Sequence, residues 1–217
     1  MALPEIVIKF WEPVARRFVS LRDDYTEPEM TFPEDVSTFL EEQYRGYNRV
    51  LEYGSGGSTI LAARLSRKRL VSVESDETWC SELGQYLWIN YPLARIRLLH
   101  ADIGPTGEWG YPLDASRSGD FVNYPFAPWV QYPKWSPELI LIDGRFRVAC
   151  FVTCLAHIKG PTKILFDDYT NRPEYHVVER LLSPVEFHGR MAVFHATANL
   201  LTEDDRNAFE EYYREPR

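Results

Sequence analysis

The chain has 217 residues, 45% hydrophobic and 26% charged, which is enough for one substantial core and too little for two. Its formal net charge of −8 argues against a large nucleic-acid surface, because neutralising phosphates requires clustered lysine and arginine. The three cysteines form no disulfide framework and no apolar stretch reaches the length of a membrane span, which favours a soluble cytoplasmic protein with no membrane partner.

Helices are predicted for the first part of the chain. An amphipathic stretch covers Pro4–Leu21, and a second helix covers Pro33–Tyr44, where proline occupies the first turn. We interpret the chain as a single domain with three parts, namely an N-terminal helical cap (1–46), a ligand-binding core (47–200) and a C-terminal helix (201–217).

From residue 49 onward, short apolar strands alternate with helices. The predicted strands are Arg49–Tyr53, Leu70–Glu74, Arg95–Leu99, Glu138–Asp143 and Thr162–Phe166. The helices between them are predicted at about residues 58–66, 77–90 and 147–158. This alternation is typical of βαβ units and a mostly parallel sheet.

The end of the chain follows a different pattern. A helix is predicted near Glu174–Leu182, and two short apolar runs, Val185–His188 and Met191–Thr197, flank a Gly-Arg turn. These runs predict an antiparallel hairpin at the edge of the sheet. A last helix, Glu203–Arg214, is expected to begin after Thr202 as its N-cap.

Residues 104–137 interrupt the alternation with a segment rich in proline, glycine and aromatic residues. Loops of this length are uncommon in compact domains and often serve as lids or binding loops. We expect a lid or ligand-binding role for this insertion, and an inert packed insertion is the alternative. Asn123–Phe126 within it is interpreted as a turn.

The turn after the first strand has the sequence Gly54-Ser55-Gly56-Gly57-Ser58. In open α/β sheets, ligands bind beyond the carboxyl ends of the strands, near the point where the strand order reverses. Glycines there permit close approach of the backbone, and the following helix exposes free N–H groups. The turn suits a nucleotide, although such a turn can also do no more than connect a strand to a helix.

Two acidic residues end the next two strands. Glu74 lies twenty residues beyond Gly54, and its carboxylate can accept hydrogen bonds from both hydroxyls of a ribose. Asp102 follows the third strand, where its carboxylate and the neighbouring N–H groups could contact an adenine edge. Together with the glycine turn, these acids indicate an adenosine-containing ligand.

These motifs, with a further acid after the fourth strand, resemble the class I S-adenosylmethionine-dependent methyltransferases over about residues 49–200. The resemblance implies a doubly wound, Rossmann-like α/β fold whose seven-stranded sheet is mostly parallel with a C-terminal antiparallel hairpin. It implies S-adenosyl-L-methionine as cofactor. The residues at its cofactor-binding positions are Glu52, Gly54, Ser55, Gly56, Glu74, Asp102 and Asp143. By position, Glu52, Gly54 and Gly56 would line the methionine and ribose. Glu74 would hold the ribose, and Asp102 the adenine.

A finer resemblance, to metal-dependent small-molecule O-methyltransferases, rests on Asp143 after the fourth strand and Asp167-Asp168 after the fifth. In that group, acids at these strand ends hold a divalent cation that binds acceptor hydroxyls. The resemblance implies a site for Mg²⁺ or a similar ion at these three acids, and a catalytic role for Asp143. Helix-capping acids are the alternative. Arg145 and Phe146 stand where metal-dependent members commonly have an acid and a histidine.

The activity expected from these features is methyl transfer to the oxygen or nitrogen of a small-molecule acceptor. Arg145 could bind an anionic acceptor or balance the acids around it. Two alternatives remain. One is a domain that binds S-adenosylmethionine without catalysis, and the other is an NAD-dependent oxidoreductase on a similar sheet, although no Tyr-x-x-x-Lys pair is present. No motif identifies the acceptor or the oligomeric state.

Overall fold

The computed structural model describes residues 27–65 and 69–217, which form a seven-stranded sheet with helices on both faces. The strands are β1 Arg49–Tyr53, β2 Arg69–Glu74, β3 Arg95–His100, β4 Leu139–Ile142, β5 Thr162–Phe166, β6 Glu186–His188 and β7 Met191–Ala196. The α-helices are α1 Glu34–Gly46, α2 Gly57–Arg64, α3 Glu77–Asn90, α4 Asn123–Gln131, α5 Arg147–His157 and α6 Glu203–Ala208. The helix predicted for Pro4–Leu21 lies outside the described residues.

The strand order is β3-β2-β1-β4-β5-β7-β6, with β7 antiparallel to both of its neighbours and every other pair parallel. This confirms the predicted doubly wound, mostly parallel sheet with its C-terminal antiparallel hairpin. The chain runs outward from β1 to β3 and then crosses back to β4. The order therefore reverses between β1 and β4, which is where open α/β sheets bind ligands.

The central strands are apolar because helices cover both faces of the sheet. All four residues of β4 are fully buried. In β1, Val50 packs in the core on the α1 side, whereas Leu51 and Tyr53 belong to the core on the α5 side. Because successive side chains of a strand point to opposite faces of the sheet, alternate residues of β1 pack against the helices on opposite sides.

Side-chain caps begin two of the helices. The Asp76 carboxylate accepts a hydrogen bond from the Trp79 N–H at 2.7 Å, which begins α3 directly after β2. Thr202 caps α6 as predicted, in a capping box with Asp205. In the described part of the chain, no helix combines the length and apolarity that crossing a bilayer requires.

Two predicted helices near the C-terminus have a different form. Pro173–Arg180 is a 3-10 helix, and the predicted Glu203–Arg214 helix divides into α6 and a 3-10 segment at Phe209. Phe209 is buried in the main core, and the α-helix ends where this side chain enters the core. The predicted hairpin is confirmed, and its Gly189 adopts a positive φ of 53°.

The insertion at 104–137 contains more regular structure than the sequence indicated. Asn123–Phe126 is the first turn of α4, so its interpretation as an isolated turn was wrong. Tyr124 and Trp129 are buried, and the Trp129 indole donates to the Tyr53 hydroxyl at 3.0 Å. Tyr124 and Trp129 in the second half of the insertion are therefore part of the core, whereas residues 107–110 in its first half line a cavity.

Candidate active site

The glycine turn after β1 is held by backbone contacts that exclude side chains. The Gly54 N–H donates to the Val73 carbonyl at 3.0 Å, and Gly54 has a φ of 96°. A Cβ atom on Gly54 would meet the Gly144 Cα at 2.8 Å. The turns after β1 and β4 are thus in direct backbone contact, which places Asp143 beside the glycine turn.

Glu74 ends β2 with its carboxylate directed at the same turn. One carboxylate oxygen accepts from the Ser75 and Asp76 N–H groups at 2.7 and 3.0 Å, and the other accepts from the Ser55 N–H at 3.3 Å. Burial raises the pKa of Glu74, and the three backbone donors oppose that shift. Glu74 therefore links the β2 end to the glycine turn and presents a fixed carboxylate to the cavity.

A cavity of about 630 Å³ opens at this edge of the sheet, within the range of small-molecule and cofactor sites. Its walls combine the turns after β1, β2 and β4 with the start of the insertion and the segment preceding α1. Among the predicted site residues, those that line it are Gly54, Ser55, Gly56, Glu74 and Asp143.

Glu52 does not line the cavity. It is fully buried in β1, and its two oxygens accept hydrogen bonds from the Tyr44 hydroxyl at 2.6 Å and the Thr59 hydroxyl at 2.7 Å. The Gly56 N–H in turn donates to the Thr59 hydroxyl at 3.0 Å. The structure therefore places Glu52 beneath the turn, where it connects α1, β1 and α2, and outside the cavity wall.

Replacing Tyr44 with phenylalanine should destabilise the fold, because it leaves one oxygen of the buried Glu52 carboxylate without its donor. We expect the free energy of unfolding to fall by about 1–3 kcal/mol. Urea unfolding followed by circular dichroism measures this change. Tyr47→Phe, at a half-buried position, is the matched control and should change the stability by less than about 0.5 kcal/mol. Equal stability of the two variants would contradict the role assigned to Glu52.

Asp102 follows β3 as predicted, but it does not line the cavity. Its side chain is 63% exposed, accepts from the Gly104 N–H at 2.9 Å and pairs with Arg117 at 3.3 Å. These hydrogen bonds lower the pKa of Asp102. The carboxylate thus stabilises the start of the insertion outside the cavity, and the adenine contact inferred from its position has no support in this geometry.

Sequence reasoning missed several cavity residues. Trp79 lines the cavity, and its indole N–H donates to the Ser55 carbonyl at 2.9 Å. Trp109 lines the mouth, is 77% exposed and has a positive φ of 58°. Aromatic enrichment of the insertion pointed to Trp109, but no local signal marked Trp79 or the 28–32 segment, which reaches the cavity from outside the βαβ pattern.

The three aspartates after β4 and β5 come together as predicted. One oxygen from each of Asp143, Asp167 and Asp168 lies within 4.8 Å of the others. Burial raises the pKa of Asp143 to about 8, with Asp167 and Asp168 adding to that shift and the Arg147 guanidinium opposing it. Of the three, Asp143 is the one that lines the cavity.

Arginine side chains form ion pairs with these three aspartates. Arg147 contacts Asp143 and Asp168, each at 3.2 Å. Arg190 binds both oxygens of Asp167, at 3.0 and 2.7 Å, and lies 3.3 Å from Asp168. A third guanidinium, that of Arg172, also lies 3.3 Å from Asp168. Three guanidinium groups therefore face three carboxyl groups in a closed network of contacts.

Comparison with solved structures identifies the family. A methyltransferase-like protein from Silicibacter pomeroyi is 35% identical, matching over 88% of this chain and 99% of that one with a TM-score of 0.82. The chain belongs to the class I S-adenosylmethionine-dependent methyltransferases. No protein-family model matches the chain. No curated protein matches it either.

More distant methyltransferases share the fold. An O-methyltransferase from Bacillus cereus, solved in complex with S-adenosylhomocysteine (SAH), is 16% identical over 84% of this chain and 89% of that chain, with a TM-score of 0.55. A SAM-dependent O-methyltransferase from Thermotoga maritima is 14% identical over 82% and 69%, with a TM-score of 0.51. At these identities the likeness establishes the architecture alone.

The aspartate cluster of this methyltransferase-family chain does not fit a divalent cation in the observed arrangement. Hard cations such as Mg²⁺ need carboxylate oxygens with free lone pairs. Here those oxygens are directed at guanidinium groups, and an added dication would lie against three positive charges. The predicted metal site is an ion-pair network in this structure.

Titration with MnCl₂ at neutral pH should therefore show no saturable binding below millimolar concentration. Calorimetry or the electron paramagnetic resonance signal of free Mn²⁺ measures it. An Arg190→Met variant, which leaves Asp167 unpaired, is the informative comparison and should bind Mn²⁺ more tightly than the unaltered protein. Stoichiometric micromolar binding to the unaltered protein, abolished by Asp167→Asn, would contradict the ion-pair account.

Proposed function

We propose that this protein transfers a methyl group from S-adenosyl-L-methionine to an oxygen or nitrogen of a small-molecule acceptor. One observation carries the proposal: a single cavity joins the glycine turn, the Glu74 carboxylate and the Asp143 carboxylate at the point where the strand order reverses. The SAH complex of the Bacillus cereus neighbour supports the same class of ligand here. The net charge of −8 favours a small-molecule partner over nucleic acid.

The cofactor is proposed to lie along the glycine turn. Glu74 accepts the ribose hydroxyls, and the backbone at Gly54–Gly56, with no bulky side chain in the way, holds the methionine part. The indoles of Trp79 and Trp109 supply flat surfaces near the β2 end of the cavity, where they suit the adenine. The sulfonium carries a positive charge, which suits a cavity with an excess of carboxylates.

Methyl transfer is an in-line displacement, so most of the rate enhancement comes from positioning the donor and acceptor. The acceptor lone pair forms the new bond to carbon as the carbon–sulfur bond breaks, and the sulfonium becomes a neutral thioether. Asp143 faces the cavity and is proposed to take the proton that the acceptor loses. Its raised pKa suits a general base acting near neutral pH.

The start of the insertion is proposed to cover the bound ligands. Gly110 approaches the β2 end so closely that an added Cβ would clash with the Ser75 hydroxyl, and that hydroxyl donates to the Gly110 carbonyl at 3.0 Å. Trp109 beside it lines the cavity and is exposed, so we expect it to cover the cavity mouth when ligands are bound. Closure of this segment would exclude water from the reacting groups.

The proposal is tested by measuring SAH release from S-adenosylmethionine in the presence of matched panels of hydroxyl- and amine-bearing small molecules. At least one acceptor should stimulate release, and Asp143→Asn should reduce the rate about 100-fold or more while leaving SAH affinity within about threefold. Asp120→Asn, at an exposed ion pair of the insertion, is the control. Unimpaired SAH binding without turnover across the panels would favour a non-catalytic binding domain.

A further inference from the structure

Arg145 occupies a distinctive position in the cavity. It follows the Asp143-Gly144 turn and precedes Phe146, whose left-handed conformation (φ 53°) begins α5. The backbone is fixed on both sides, because Gly144 packs against Gly54 and Phe146 is fully buried. Arg145 is thus held two residues after the proposed catalytic carboxylate, and both residues line the cavity.

The charge of the cavity wall is unbalanced. Among the described residues lining it, six are acidic, namely Glu29, Glu74, Asp76, Glu82, Glu108 and Asp143. Arg145 is the one basic residue in that described lining. The acidic excess suits the cationic cofactor, but it gives no reason for a guanidinium at the catalytic end.

Arg145 differs from its neighbouring arginines in its partners. Arg147, Arg172 and Arg190 each form ion pairs with the aspartates. Arg145 makes no ion pair with any residue in 27–65 or 69–217, and its Nε is buried without a hydrogen-bond partner. A buried donor left unpaired is costly, so a ligand that supplies the acceptor would stabilise the site.

The surroundings partly remove this guanidinium from water. Burial and the positive charge of Arg147 lower the pKa of Arg145, although a guanidinium remains charged in proteins. The nearby phenol of Tyr124 lines the same wall. The planar, charged fork of a guanidinium matches a carboxylate or a phosphate, which accepts two parallel hydrogen bonds.

We propose that Arg145 binds an oxyanion group, a carboxylate or a phosphate, within the cavity, and that the methyl acceptor carries this group. The inference rests on the proposed function, since it places an anionic acceptor beside Asp143. The methionine carboxylate of the cofactor offers the same chemistry, so the experiment must distinguish these two sources.

The Nε–Hε resonance of Arg145, assigned by its loss in Arg145→Met, reports anion binding directly in ¹⁵N-labelled protein. In protein saturated with SAH, titration with sodium acetate and then with phosphate should shift this resonance saturably. The Arg97→Met variant, altered at an exposed position on β3, should respond as the unaltered protein does. Because acetate can be added without SAH, the response can be read even if the cofactor assignment fails.

Calorimetry then identifies the source of the anion. SAH and 5′-methylthioadenosine share adenosine and thioether, but the second lacks the amino acid. If the acceptor supplies the anion, Arg145→Met should bind both within about threefold of the unaltered protein. If the cofactor supplies it, Arg145→Met should lose about tenfold in affinity for SAH alone. That result would keep the oxyanion site at Arg145 but overturn its assignment to the acceptor. A resonance indifferent to acetate, phosphate and SAH would overturn the proposal.

Discussion

Replacing Glu74 with alanine should weaken SAH binding by about 10- to 100-fold, the largest effect on affinity expected from one side chain in the cavity. Hydrogen bonds to a charged group contribute about 1.5–3 kcal/mol each, and 1.4 kcal/mol is tenfold in affinity. The Glu74 carboxylate is buried, lines the cavity and is aligned by three backbone N–H donors. Calorimetric titration with SAH measures the loss.

The matched control for this prediction is Glu82→Ala, which removes another cavity carboxylate from the surface of α3. Its SAH affinity should remain within about threefold, because an exposed carboxylate is screened by water and salt. Glu74→Gln separates charge from shape and should lose less than alanine does. Unchanged affinity in Glu74→Ala, with the variant folded by circular dichroism, would contradict the ribose assignment.

Replacing Gly54 with alanine should cause the largest loss of stability expected from adding a single methyl group. The φ of 96° is a conformation that residues with a Cβ rarely adopt, and the new Cβ would lie 2.8 Å from the backbone of Gly144. Strain and overpacking together should lower the free energy of unfolding by about 2–5 kcal/mol. In a chain of this size, that corresponds to a fall of roughly 5–20 °C in the unfolding temperature.

Gly56→Ala provides the comparison within the same turn. Its φ of 174° is extended, and an added Cβ has no atom within 4 Å. The stability of this variant should stay within about 1 kcal/mol of the unaltered protein. Its methyl group would project into the part of the cavity where the cofactor is proposed to bind. Differential scanning calorimetry distinguishes the two variants, and equal unfolding temperatures would contradict the backbone contact inferred at Gly54.

The order of elements was predictable because parallel strands covered on both faces have a clear apolar pattern. The four buried residues of β4 and the alternation of strands and helices indicated the sheet, and the turn residues followed in register. The glycine turn, Glu74 and Asp143 meet at one edge for that reason. Parallel strands bring their carboxyl ends together regardless of their distance along the chain.

Glu52 and Asp102 show where position in the sequence was insufficient. Strand register fixes where a residue lies, but not which neighbour takes its hydrogen bonds. Tyr44 arrives from α1 and Arg117 from the insertion, and each binds a carboxylate that positional reasoning had directed at the cofactor. Neither partner could be inferred from local pattern, because each pairing depends on a contact between separate elements.

The aspartate cluster shows the same limit in electrostatic terms. The sequence correctly predicted that Asp143, Asp167 and Asp168 would meet, since each follows one of two adjacent strands. It did not reveal that Arg147 extends from the first turn of α5 and Arg190 from the β6–β7 turn to neutralise them. A group of acids indicates a metal only after its counter-charges have been located.

The sequence of the insertion did not predict helix α4, because its proline and glycine residues are typical of loops. Pro125 lies in the first turn of α4, where a missing N–H costs little, and Pro128 lies within it. Burial of Tyr124 and Trp129 against the α5 side of the sheet stabilises this helix despite its composition. Tertiary packing therefore outweighed local propensity.

The most direct test of the central claim is a calorimetric titration of the unaltered protein with SAH, S-adenosyl-L-methionine and NAD under identical conditions. The account predicts micromolar or tighter binding of the two S-adenosyl compounds with one site per chain, and no measurable binding of NAD. Binding of NAD without binding of either S-adenosyl compound would contradict it.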